Sequence, residues 1–183
     1  MIKESGLLLL AALWFMLPAA VANFMPWAVR RLRFLAVPVD FGIRWRGKAV
    51  FGPNKSWRGV VSGTLAGFVI FLIQRPLYAL PAVKAISRLD YATVSPLLGL
   101  MLGLGAMLGD LAKSFVKRRL GIAPGKPWIP FDQLDWIAGA LLLSLPFYVP
   151  DWPLVLALLG LGFAGHLIVR LAGWALGLTE TKF

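Results

Sequence analysis

Five long apolar runs, parted by charged or proline-bounded segments, limit what this chain can fold into more than any other feature. They cover about residues 5–26, 59–80, 94–112, 132–150 and 153–178. A run of about 18 or more apolar residues matches the hydrocarbon core of a bilayer. In lipid the backbone must satisfy its own hydrogen bonds, and a helix does so within one segment. The expectation is an all-α, polytopic integral membrane protein of five transmembrane helices, forming a single membrane domain over residues 1–183. The second and fourth runs are short at their cores, so their ends should sit among headgroups. The composition, 59% hydrophobic with a mean hydropathy of +0.77, agrees.

Charge gives the direction, because cytoplasmic loops collect Lys and Arg. The segment after the first run holds Arg30, Arg31, Arg33, Arg44, Arg46, Lys48, Lys55 and Arg58. The segment after the third holds Lys113, Lys117, Arg118, Arg119 and Lys126, and Arg170 and Lys182 lie near the C-terminus. The other side has only Lys3, Arg75, Lys84 and Arg88. The N-terminus is therefore expected outside and the C-terminus in the cytoplasm. The loops at about 27–58 and 113–131 would face the cytoplasm from the cell membrane. "AVA" at 20–22 resembles a signal cleavage site, but cleavage would export the cation-rich loop. A net charge of +11 invites a nucleic-acid reading. Topology accounts for these cations, so no nucleic-acid partner is expected. Whether the protein is a monomer or a homodimer is left open. With no cysteine, the chain has neither thiolate nucleophiles nor zinc–thiolate sites.

The polar residues that interrupt this pattern carry the chemistry. In "MLGDLAKSFVKRRLG", residues 107–121, a helix continuing past the bilayer puts Asp110, Lys113, Ser114 and Lys117 at i, i+3, i+4 and i+7. That spacing lines one face, and Arg118 and Arg119 extend it. A buried acid neutralised by a neighbouring lysine is the structural alternative. In "FDQLDW", residues 131–136, Asp132 and Asp135 share a face at the start of the fourth run. An N-cap explains one of them. Together with Asp110 they make an oxygen set suited to a hard cation such as Mg²⁺. In "FGPNKSWRG", a Gly-Pro turn precedes Asn54, Lys55, Ser56 and Arg58 at a helix start, where phosphates bind well. The alternative is a basic anchor with Trp57 at the interface. Asn23 either bonds another span or helps hold substrate. His166, the one histidine, has no evident partner and is read as a packing or hydrogen-bonding residue. Acids gathered with cations at one membrane face suit a metal–phosphate complex. The membrane suggests a lipid acceptor, and the cytoplasmic face suggests a soluble nucleotide.

Three blocks, "LPAAVANFMPW", "PVDFGIRWRGKAVFGPNKSWRG" and "GDLAKSFVKRRLGIAPGKPWIPFDQLDW", resemble in order and spacing the CDP-archaeol synthases of archaea. These are membrane cytidylyltransferases related to bacterial phosphatidate cytidylyltransferases. The likeness runs from about Leu17 to Gly139, with Ser56 where the family has Thr and Trp136 where it has Phe. It implies that CTP reacts with an isoprenoid diether glycerol phosphate, giving a CDP-activated lipid and pyrophosphate, with Mg²⁺ as cofactor. It also implies metal ligation by Asp110, Asp132 and Asp135, and phosphate contacts from Lys117, Arg118, Arg119 and the Asn54–Arg58 block. With the residue-level reading, the expected catalytic set is Asp110, Lys117, Asp132 and Asp135. The expected substrate contacts are Asn23, Asn54, Lys55, Ser56, Arg58, Ser114, Arg118 and Arg119. The nucleophile would be a phosphate monoester with a second pKa of about 6, so no general base is needed.

Phosphatidate as acceptor is the nearest alternative. A non-catalytic protein that binds anionic lipid is the alternative of another class, but it has no use for paired acids. A transporter would carry its polar groups near the midplane. A CDP-alcohol phosphotransferase would carry a DGxxAR string, which is missing.

Overall fold

The structure, a computed structural model, describes residues 2–175, with side chains from 4 to 165. The end of the fifth run, Lys182 and the side chains of His166 and Arg170 lie outside the described residues. The helices are α1 (Ile2–Ala28), α2 (Trp57–Leu77), α3 (Pro81–Ile86), α4 (Leu97–Arg119), α5 (Phe131–Ser144) and α6 (Trp152–Ala175). Among the described residues, α1 from Glu4, α2 and α4 are long and apolar enough to cross a membrane.

Three expectations need correcting. The second run ends as a helix at Leu77, and the chain then makes the separate short helix α3. The fourth run was expected to be helical to Pro150. Instead α5 stops at Ser144, because Pro146 has no N–H with which to continue the helical hydrogen-bond ladder. At 1.5 Å per residue α5 is about 21 Å long. The expected all-α loop after α1 also holds a small antiparallel hairpin, β1 (Arg44–Trp45) and β2 (Lys48–Ala49).

Helix α4 is the centre of the bundle and packs on α1, α2 and α5, while α6 lies against α1 and α5. The core is built of small and branched side chains, including Ala12 and Ala19 of α1, Leu98, Leu102 and Ala106 of α4, and Ile137 and Ala140 of α5. Glycines let the backbones close up where hydrophobic driving force is weak. Gly105 and Gly109 of α4, one turn apart, face the backbone of α5 around Gly139 so closely that a Cβ at any of them would strike the opposite chain. This contact brings the last two turns of α4 beside the first turn of α5.

Candidate active site

Helix α4 remains helical to Arg119, so Asp110, Lys113, Ser114 and Lys117 do share one face. That face meets Asp132 and Asp135 on the first turns of α5. The cluster is organised around Lys113. Its Nζ lies 3.0 Å from Asp110 Oδ1, 3.3 Å from Asp132 Oδ1 and 2.7 Å from Asp135 Oδ2. The last approach is outside hydrogen-bond geometry, so Asp135 Oδ2 is a buried oxygen with a charge beside it and no donor aligned on it. Lys55, from the loop before α2, donates to Asp110 Oδ2. Lys117 Nζ donates to both oxygens of Asp132, at 3.0 and 3.1 Å, and to the Lys126 carbonyl. The Trp128 amide also donates to Asp132. Acids and lysines thus neutralise each other in one connected network. Leaving a buried charge of this network without any partner would cost about 3–5 kcal/mol.

Two cavities border this network. A polar one of about 560 Å³ is lined by Asn54, Lys55, Lys113, Ser114, Lys117, Arg118 and Asp132, with the 51–53 and 124–127 loops closing its sides. An apolar groove of about 580 Å³ runs between α4 and α5 along Leu108, Ala112, Val116, Leu134, Ala138 and Leu142. Lys113 lines both, and Asp135 stands at the head of the groove. Ser56 caps α2 by accepting from the Gly59 amide at 3.3 Å, and it shares a small recess with Asp110.

Not every expected residue reaches these cavities. Asn23 is exposed on α1. Arg58 donates to the Leu32 carbonyl, away from the polar cavity. Arg119, expected on phosphate, grips the hairpin: its guanidinium donates to the carbonyls of Trp45 (2.8 Å), Lys48 (3.1 Å) and Ala49. It also lies 5.1 Å from the ring centres of both Trp45 and Phe115, which stack on each other. Lys48 returns a bond to the Arg119 carbonyl at 2.8 Å. A point charge cannot reproduce such a fork. Arg119→Lys is therefore expected to raise KM for CTP, the nucleotide that the sequence resemblance implies, by about tenfold, with a smaller change in kcat. An unchanged KM would contradict the hairpin-holding role.

Asp40 was given no role from sequence, yet it organises the loop that walls the polar cavity. Its carboxylate accepts from the amides of Gly42 (3.0 Å), Phe51 (2.8 Å) and Gly52 (3.1 Å). The acid two residues before a glycine is a turn signal that pointed to it. Burial pushes the carboxyl pKa up, but the three amides outweigh this and hold it below the usual value. A depressed folded pKa means that its contribution is full above the unfolded value, near 3.9, and is lost as pH falls through the folded one. Asp40→Asn removes the charge at neutral pH. It is expected to speed tryptic cleavage at Arg44 and Arg46 by about tenfold; unaltered cleavage would show that the loop does not depend on this acid.

Known proteins resemble the chain throughout. The CarS-like family model, described as CDP-archaeol synthase, matches residues 6–183. The CDP-archaeol synthase of Thermofilum pendens is 37% identical over 188 residues, spanning 100% of this chain and 84% of that one. The Pyrococcus furiosus enzyme is 35% identical over 153 residues, 82% of this chain and 84% of its own. That of Methanospirillum hungatei is 35% identical over 176 residues, 92% and 100% respectively. A solved intramembrane enzyme for archaeal membrane lipids biosynthesis superposes with a TM-score of 0.71 at 29% identity, covering 87% of this chain and 92% of that one.

Proposed function

The chain belongs to the CDP-archaeol synthase family and is thus a membrane nucleotidyltransferase, and on that footing we propose that it moves CMP from CTP to the phosphate of an isoprenoid diether glycerol lipid. The observation that carries this reading is that Lys113 lines both a polar cavity and an apolar groove. CTP occupies the polar cavity, held by Lys55, Lys117 and Arg118. The lipid tails lie in the groove between α4 and α5, which brings the lipid phosphate to Lys113 at its head.

Mg²⁺ fits the donors present. They are all carboxylate oxygens, and the Lys113 ammonium stands among the three acids as a cation would. Among the described residues no three acidic or histidine side chains form a ready cage. Mg²⁺ commonly takes one or two carboxylates and completes its shell with water and substrate phosphates. Asp110, Asp132 and Asp135 are the residues that would hold it, and when bound it would neutralise the triphosphate and polarise the α-phosphorus.

The protein's own share is positioning and charge. The lipid phosphate is already mostly dianionic at neutral pH, so its oxygen attacks without a base. Lys113 and Lys117 face the charge that develops during transfer. The enzyme crosses the cell membrane five times, α5 and α6 included, with its N-terminus outside and this site facing the cytoplasm. That orientation follows from where the cations lie.

Apart from Lys113, Asp135 and Trp128, the groove is lined with hydrocarbon. An ester carbonyl there would find few donors, and a buried polar group without a partner weakens binding. In direct competition between diether and diester lipid phosphates of equal length, label from CTP is expected mainly in the diether product. Equal or greater labelling of the diester would overturn this choice of acceptor.

A further inference from the structure

We propose that a second basic cavity, which shares Arg118 with the polar one, receives the pyrophosphate that the transfer releases. It has a volume of about 430 Å³ and lies between the hairpin and the turn after α4. Arg44 and Lys48 of the hairpin line it, and it shares Gly52, Pro53, Arg118 and Pro124 with the polar cavity. Arg118 is only 9% exposed, and its Nε has no hydrogen-bond partner. A buried guanidinium that lines both cavities offers its charge to an anion in either one. Lys48 spends one bond on the Arg119 carbonyl and keeps two donors.

The inference rests on the transfer reading and deepens it. In that reaction an oxygen of the lipid phosphate forms a bond to the α-phosphorus. The bond from the α-phosphorus to the bridging oxygen breaks, and its electron pair leaves with the pyrophosphate. Attacking and leaving oxygens stand in line on opposite sides of the α-phosphorus. Lys113 lines both the lipid groove and the polar cavity, and Arg118 lines both the polar cavity and the basic one. On α4 these residues are five positions apart, which is roughly 140° of rotation and about 7.5 Å of rise. The acceptor therefore enters on one side of α4 and the leaving anion departs on another. Arginines suit this anion, because their fork bonds two phosphate oxygens at once.

Arg44 tests the assignment, since it lines the basic cavity and not the polar one. The purified full-length protein would be assayed with CTP, diether lipid phosphate and Mg²⁺, with added pyrophosphate as the product inhibitor. Arg44→Gln is expected to raise the inhibition constant of pyrophosphate about tenfold, the loss of one charge-assisted contact. KM for CTP should rise by a clearly smaller factor, and Arg44→Lys should recover most of the inhibition. If the inhibition constant is unmoved, or moves by the same factor as KM, the assignment is overturned. A wild-type protein that makes no cytidine-linked lipid would instead sink the transfer reading. Calorimetry with pyrophosphate alone, comparing wild type with Arg44→Gln, would then still decide whether the basic cavity binds the anion.

Discussion

Asp135→Asn is expected to cut CMP transfer by about a hundredfold or more while leaving the protein folded. The size follows from its proposed part in holding the cation that would neutralise the triphosphate, since charge stabilisation of that kind is worth ~10²–10³ in kcat. Asp135 suits this experiment better than its neighbours. Asp132 also accepts from Lys117 and the Trp128 amide, so replacing it disturbs the loop before α5. Asp110 anchors Lys55. Asp135 Oδ2 has only Lys113 beside it, and Lys113 keeps Asp110 and Asp132 when that charge goes. Lipid-linked label would be measured alongside the thermal midpoint. Near-normal turnover in the folded variant would remove Asp135 from the catalytic set.

The second large effect is expected at a residue that carries no charge of its own. Gly109→Val should destabilise the protein by about 3 kcal/mol and abolish transfer even at temperatures where it stays folded. A Cβ at Gly109 would strike the carbonyl of Asp135 itself, inside any allowed contact. The two helices would have to separate, carrying Asp135 away from Lys113. A shift of about 1 Å in a reacting geometry can cost ~10²-fold in rate. Gly160→Ala is the matched control, since a Cβ there meets nothing within 4 Å. Both variants would be measured for thermal midpoint and specific activity. An active, stable Gly109→Val would mean that close approach of α4 and α5 does not build the site.

The sequence made part of this legible for a physical reason. Helical spacing places Asp110, Lys113, Ser114 and Lys117 on one face wherever the helix extends. Asp132 and Asp135 at the head of the next apolar run therefore had an acidic partner to meet. Membrane insertion constrains long apolar segments so strongly that α1, α2 and α4 could be read from hydropathy. What was not legible depends on contacts across space. Lys113 was placed on the face with the others, but its position among three carboxylates needs the α4–α5 distance that Gly105, Gly109 and Gly139 set. Arg119 looks like its neighbours in a run of cations. Only the fold turns it towards the hairpin carbonyls, while Arg118, one residue earlier, turns towards the cavities. Asn23 is polar in an apolar run, yet it ends up exposed. The early end of α5 was written in Pro146, and the run's overall hydrophobicity masked it.

The central claim is that one protein site joins cytidine monophosphate to a lipid phosphate and expels pyrophosphate. Its most direct measurement uses two batches of CTP, one labelled at the α-phosphorus and one at the γ-phosphorus, given to purified protein with diether lipid phosphate and Mg²⁺. The α-label is expected in the organic phase as cytidine-linked lipid, with an equal amount of γ-label in water as pyrophosphate. α-Label released as free CMP, or γ-label found on the lipid, would contradict it.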